Sequence, residues 1–221
     1  MKAGDVIFLS ASVPYRGGWR EDARPADIEE AIVSVSRAVF SRGGRLLFGG
    51  HPSVSPLIAS IAGEYYPADP ERRHRPVITF QSEFFRGRLP DETWDLYRMG
   101  WSSIIWTPEV PDNQPDSLKL MREAMLRHPE TPPKAMIAVG GMEGIFEEAE
   151  MFLEFREKWD VNPLPPVCAI ESGGGAARKL AGDGRVTGLE RDWWDANPDA
   201  LPRGIPFQPF AAMAQWFVDK L

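Results

Sequence analysis

Short runs of consecutive apolar residues alternate along this chain with segments whose apolar positions recur every three or four residues. The runs are "DVIFL" (5–9), "RLLFGG" (45–50), "PVITFQ" (76–81), "SSIIWT" (102–107), "KAMIAVGG" (134–141) and "PPVCAIE" (165–171), six predicted strands. Strands that are apolar on both faces belong to a parallel sheet covered on both sides. Between them, Ile28, Ile32, Val35 and Val39 form a helical stripe, with Asp27 as the expected N-cap and Gly43 as the stop. Leu118, Met121, Met125 and Leu126 share one face of a second helix. Further helices are expected at 54–66, 91–100, 144–159 and 174–182. The stretch 182–206 reads as an irregular loop, and 207–221 as a terminal helix with an apolar face. Strand and helix in alternation give the fold class: α/β, a single Rossmann-like doubly wound domain over 1–221, with a mostly parallel sheet of about six strands.

Composition narrows the function classes. The 221 residues are 43% hydrophobic, enough for a sizeable core, and no apolar run reaches the ~18 residues of a membrane span. No secretory leader is recognisable at the start, so a cytoplasmic location is expected. The net charge of −7 runs against a nucleic-acid partner, and the one dense basic run, Arg72 to Arg75, reads as a solvated loop. The single cysteine, Cys168, lies inside the sixth predicted strand and reads as a buried, inert thiol. Only one of the three histidines, His51, follows a strand, while His74 and His128 lie elsewhere, so no metal and no cofactor is expected. The eight tryptophans form no repeat.

In a doubly wound sheet, ligands bind outside the carboxyl ends of the strands. The residues there are Ser10, Ser12, Arg16 and Arg20 after the first strand, Gly49, Gly50, His51, Ser53 and Ser55 after the second, and Gln81 and Ser82 after the third. Gly140, Gly141, Met142, Glu143 and Gly144 follow the fifth strand, and Ser172, Gly173, Gly174 and Gly175 the sixth. Three of these loops run from glycine pairs or triplets directly into a helix, an arrangement that offers backbone N–H groups to a phosphate. Neither G-x-G-x-x-G after the first strand nor G-x-x-x-x-G-K-[ST] occurs, which disfavours a dinucleotide-dependent dehydrogenase and a P-loop NTPase. His51 reads as fixing its own loop by hydrogen bonding.

The pair "LMREAM" and "AVGGMEGIFEEAE" resembles the paired motifs of the Lonely Guy (LOG) phosphoribohydrolases, R-K-x-x-M and P-G-G-x-G-T-x-x-E. Arg122 and Met125 stand in the first motif, one residue closer together, and Gly140, Gly141, Gly144 and Glu148 in the second, with Glu147 beside them. Val139 replaces the proline, Ile145 the threonine, and Met142-Glu143 the single spacer. With "FLSASVP", "FGGHPSVSPLI", "QSEFF" and "SGGGAARKL", the chain is similar to the wider SLOG superfamily (DprA/Smf and LOG relatives), in particular to bacterial branches found beside TIR or SIR2-like domains in antiviral systems.

What the resemblance implies is a small-molecule nucleotide ligand. Gly140, Gly141 and Gly144 would present amides to its phosphate, Glu148 would reach ribose hydroxyls, and Arg122 would pair with phosphate or with Glu148. Two functions stay open. One is a sensor of an ADP-ribose-like or cyclic-nucleotide signal, working with a TIR or SIR2-like effector. The other is an N-glycosidase with Arg122 and Glu148 as catalytic residues. The missing proline and threonine lean toward binding. The terminal helix and Trp193-Trp194 point to a homo-oligomer surface, with core packing an equal account of the helix. Glu147, Glu148 and Glu150 also fit as solvated acids at a helix start.

Overall fold

The structure, a computed structural model, describes residues 1–68, 71, 75–127, 132–200 and 208–221. His74, His128, Arg72 and Arg73 lie outside the described residues. The first half runs β1 (Val6–Ser12), α1 (Gly17–Asp22), α2 (Pro25–Ser41), β2 (Arg45–Phe48), α3 (Ser55–Tyr65), β3 (Val77–Ser82), a 3-10 turn (Glu83–Arg88), α4 (Asp91–Arg98) and β4 (Ser102–Thr107). The second half runs α5 (Gln114–Leu126), β5 (Ala135–Gly140), α6 (Gly144–Arg156), β6 (Val167–Ile170), α7 (Gly175–Leu180), β7 (Thr187–Gly188), α8 (Leu189–Ala196) and α9 (Phe210–Lys220).

Seven strands form one sheet in the order β4-β3-β2-β1-β5-β6-β7, every pairing parallel. Alternation along β1 sends Ile7 and Leu9 to one face and Val6 and Phe8 to the other. The first face is covered by α2, α3, α8 and α9 through Ile32, Val35, Ile58, Trp193, Met213 and Phe217. The second is covered by α5, α6 and α7 through Met121, Met125, Ala149, Phe152 and Ala176. Both faces are therefore buried, which is why the strands read as unbroken apolar runs.

Several local expectations shift. α2 starts at Pro25, a residue suited to the first turn because its missing N–H leaves nothing unsatisfied there, so Asp27 lies in that turn and is not the N-cap. Gly43 ends the helix as expected, at φ +66°. The stretch 182–206 is not wholly irregular: it contains β7 and α8, with Leu189 and Trp193 buried, while 201–206 lies outside the described residues. The apolar face of α9 packs on α2 and α8 of the same chain. Cys168 is fully buried in β6, and burial pushes its thiol up to about 12. Among the described residues, no helix is long and apolar enough to cross a membrane.

The strand order reverses at β1, which pairs with β2 on one side and β5 on the other. Connections on the two sides diverge at such a point, and a crevice opens beyond the carboxyl ends of the two strands.

Candidate functional site

A cavity of about 360 Å³ occupies that crevice and extends across the ends of β2 and β3. That volume is within the ~300–1,000 Å³ of small-molecule pockets. Of the residues singled out in the sequence, Ser10, Ser12, Arg16, Gly49, Gly50, His51, Gln81, Arg122, Met142, Glu143, Gly144 and Glu148 line it. Ser82, Gly140, Gly141, Gly173 and Gly174 do not.

Three elements meet at Glu148. It lies in the second turn of α6, and its carboxylate accepts a short hydrogen bond from the Ser10 hydroxyl on β1 and one from Arg122 Nε on α5 at 3.2 Å. Arg122 and Glu148 have side chains only 12% and 15% exposed, so their pairing is well shielded from water. Arg122 Nη1 donates to Glu147 Oε2 at 2.5 Å, a carboxylate that is otherwise solvated. Nη2 donates to no described residue and lies against Gly144, where a Cβ would sit 2.5 Å away. A guanidinium with an uncommitted nitrogen beside a helix start makes a site for an anion.

The β5–α6 turn is not a uniform row of free amides. Gly140 and Gly141 have φ of +61° and +73°, and the Gly141 N–H donates to Ser12 O at 2.7 Å while Gly141 O accepts from Ala176 N–H at 2.9 Å. Gly141 is thus committed to the scaffold. Among the described residues, Met142 and Gly144 have N–H groups with no acceptor, so these are the amides left for a ligand. Ile145 is buried and packs over Gly141, offering no hydroxyl.

Glu143 stands at the mouth. It accepts from Trp19 Nε1 at 2.8 Å and from Arg16 Nη2 at 3.1 Å, tying the loop after β1 to the loop after β5. Its own backbone N–H, the Trp19 indole and Arg16 hold its carboxyl below the ordinary glutamate range. Trp19 in turn lies against Phe146 and beneath Lys179.

At the other end, the β2–α3 turn is built around Gly50 at φ +63°. The Gln81 amide nitrogen donates to Gly49 O at 2.7 Å and Gly50 O at 3.2 Å. His51 Nδ1 accepts from Ser53 N–H at 3.2 Å and contacts Ser53 Oγ at 2.9 Å, so His51 does brace its loop. Burial lowers the imidazole pKa below its ordinary value.

The residues outside the cavity hold the scaffold together. Ser82 caps the 3-10 turn, accepting from Phe84 N–H at 3.3 Å. A Cβ at Gly173 would meet Ile28 at 2.7 Å, and one at Gly174 would meet Asp22 O at 2.1 Å. Asp22 also accepts from Gly175 N–H at 3.0 Å, closing the third glycine loop against α1.

Sequence reading missed Tyr15, Phe85, Arg88, Leu89, Pro90 and Gln114, which also line the cavity. Four of these follow the end of β3, where the strand-end rule would have found them had it been carried past Ser82.

The fold and site together define a Rossmann-like protein with a cavity at its topological switch point. The model of the SLOG cluster3 family matches residues 18–192, and the chain belongs to that family. Membership supports a nucleotide-related function. Among solved structures, the X-ray structure of TM1055, a structural-genomics target, is similar at 14% sequence identity over 83% of this chain and 82% of that one, with a TM-score of 0.47. No curated protein matches the sequence.

Proposed function

We propose that the cavity binds a phosphorylated, nucleoside-derived ligand, and that the protein is a sensor of such a signal, of the ADP-ribose-like or cyclic-nucleotide class. The observation that carries the reading is the meeting of Ser10, Arg122 and Glu148 in a cavity at the β1–β5 switch point. The phosphate sits against the free N–H groups of Met142 and Gly144 and Arg122 Nη2, at the start of the 13-residue α6. Glu148, held between Ser10 and Arg122, accepts from ribose hydroxyls.

Binding without turnover is favoured by the residues at the turn. Ile145 has no hydroxyl to give a phosphate, and Glu143 adds a carboxylate at the mouth that engages Arg16 and Trp19. The resemblance to SLOG branches beside TIR or SIR2-like domains supports the wider proposal: a bacterial stress or antiviral pathway, with an effector of that kind and self-association passing the signal on.

A specific observation keeps a second reading, N-glycosidase action on a nucleoside monophosphate. Glu148 is a shielded carboxylate fixed by two donors, the arrangement that stabilises an oxocarbenium-like centre or orients water. One-dimensional proton NMR of AMP, ADP-ribose, cyclic ADP-ribose and NAD, followed for hours with the protein, separates the two. Selective broadening of one ligand with no free base supports the sensor, and free-base resonances support the glycosidase. Four unperturbed spectra overturn both.

A further inference from the structure

Two side chains lining the cavity have directions fixed by the scaffold, and each keeps one polar atom without a partner among the described residues. Gln81 on β3 is only 5% exposed. Because its amide nitrogen is committed to the carbonyls of Gly49 and Gly50, the amide orientation is settled, and Oε1 is the atom left over. No described residue donates to it. His51 is equally constrained. Its Nδ1 faces the Ser53 N–H, which can only donate, so Nδ1 accepts and the proton of the neutral ring resides on Nε2. Nε2 has no partner among the described residues either. Both side chains line the cavity, both are tied to the same turn, and Phe48, Phe85, Leu89 and Pro90 supply apolar walls beside them.

We infer that His51 Nε2–H and Gln81 Oε1 form a donor–acceptor pair that reads the edge of a planar heteroaromatic base, one in which a ring nitrogen lies beside an exocyclic amino group. The inference deepens the nucleotide reading of the cavity and rests on it. Gln81 lies on β3 and Ser10, the partner of Glu148, on β1, two strand spacings or roughly 10 Å apart across the sheet. A nucleoside spans that distance with its sugar at Glu148 and its base against Phe48 and Pro90.

The edge chemistry sets the selectivity. An adenine-type edge presents an amino donor and a ring-nitrogen acceptor, matching Gln81 Oε1 and His51 Nε2–H in turn. The corresponding edge of a guanine-type base presents two acceptors, which leaves the Gln81 oxygen facing another acceptor. A buried polar group without its partner costs binding more than the hydrogen bond adds when made, so a base lacking the amino group is rejected strongly.

The test is isothermal titration of the full chain with ribose 5-phosphate, AMP and purine riboside 5′-monophosphate, which carries hydrogen where AMP has its amino group. The wild type is expected to bind AMP at least tenfold more tightly than either other probe. His51→Asn keeps an atom at the Nδ1 position for Ser53 but ends short of Nε2. It is expected to weaken AMP at least tenfold and leave ribose 5-phosphate unchanged. His51→Gln, whose amide nitrogen reaches the Nε2 position, restores AMP binding.

Equal binding of AMP and purine riboside monophosphate overturns the inference, as does a folded His51→Asn that binds AMP like the wild type. Binding of ribose 5-phosphate with no added affinity for AMP rejects the base-reading pair alone. If none of the three probes binds, the nucleotide reading itself falls and the inference with it. Should His51→Asn not fold, the comparison of the two monophosphates on the wild type decides.

Discussion

A side chain at Gly144 would begin 2.5 Å from Nη2 of Arg122. Gly144 does not have a positive φ, so its conformation does not require glycine. What requires it is the guanidinium passing over the start of α6 on its way to Glu148. Gly144→Ala therefore separates site from scaffold. Alanine suits a helix better than glycine by about 0.5–1 kcal/mol, which offsets part of the loss of the shielded Arg122–Glu148 contact, so the domain is expected to stay folded with a modest change in stability. The displaced Arg122 loses its bond to Glu148, and affinity for ribose 5-phosphate or AMP is expected to fall at least tenfold. A melt and a titration check the two halves. Unchanged affinity would detach Arg122 from the ligand.

Glu148→Gln keeps an oxygen for Arg122 Nε and leaves Ser10 free to turn and accept from the new amide. Exchanging a charge-assisted contact for a neutral one costs about 1 kcal/mol, too little to unfold the domain. For a sensor, AMP or ADP-ribose affinity is expected to stay within about threefold. For a glycosidase, free-base release is expected to drop by about 10²-fold or more, the usual contribution of a positioned acid or base. The same NMR time course on both proteins reads each outcome.

The sheet was legible because both its faces are buried, so all six longer strands read as apolar runs; the strand-end rule then located Ser10, while Arg122 and Glu148 came from the resemblance to the LOG motifs. The elements left unread are those with little apolar signal. α1 buries no residue, and β7 is two residues long. In the site, the sequence could not say which amides are free. That depends on register: Ser12 lies beside Gly140, which puts its carbonyl in reach of the Gly141 N–H. Likewise, the partner that closes the third glycine loop, Asp22, is 153 positions away from Gly175.

Gly174 is where the third loop carries stability. Its φ is +75°, and a Cβ would lie 2.1 Å from the carbonyl oxygen of Asp22, a backbone atom that cannot turn aside. With ψ of −154° this is a backbone region open essentially to glycine alone, which costs another residue about 1–3 kcal/mol, and the clash adds to it. Gly174→Ala is expected to lower the melting temperature by more than about 5 °C for a chain of this size. Ribose 5-phosphate affinity of the folded fraction is expected to persist. A variant as stable as the wild type would mean that α1 can swing away from α7 without loss.

His51 gives the domain a pH dependence with a definite sign. Burial lowers its pKa in the folded protein below the ordinary value of about 6.5 that it regains on unfolding. Protonation would also set a second ring N–H against the Ser53 N–H, where Nδ1 now accepts. The unfolded chain therefore binds the proton more readily. The contribution of His51 to stability is present above about pH 6.5 and is lost as the pH falls through that value toward the folded pKa. Substitution by asparagine, which keeps the Ser53 contact without a titrating ring, removes this dependence. Melting temperatures between pH 7.5 and 5.5 are expected to fall more steeply for the wild type than for His51→Asn. Parallel curves would show that His51 takes up its proton as freely in the folded turn as in the unfolded chain.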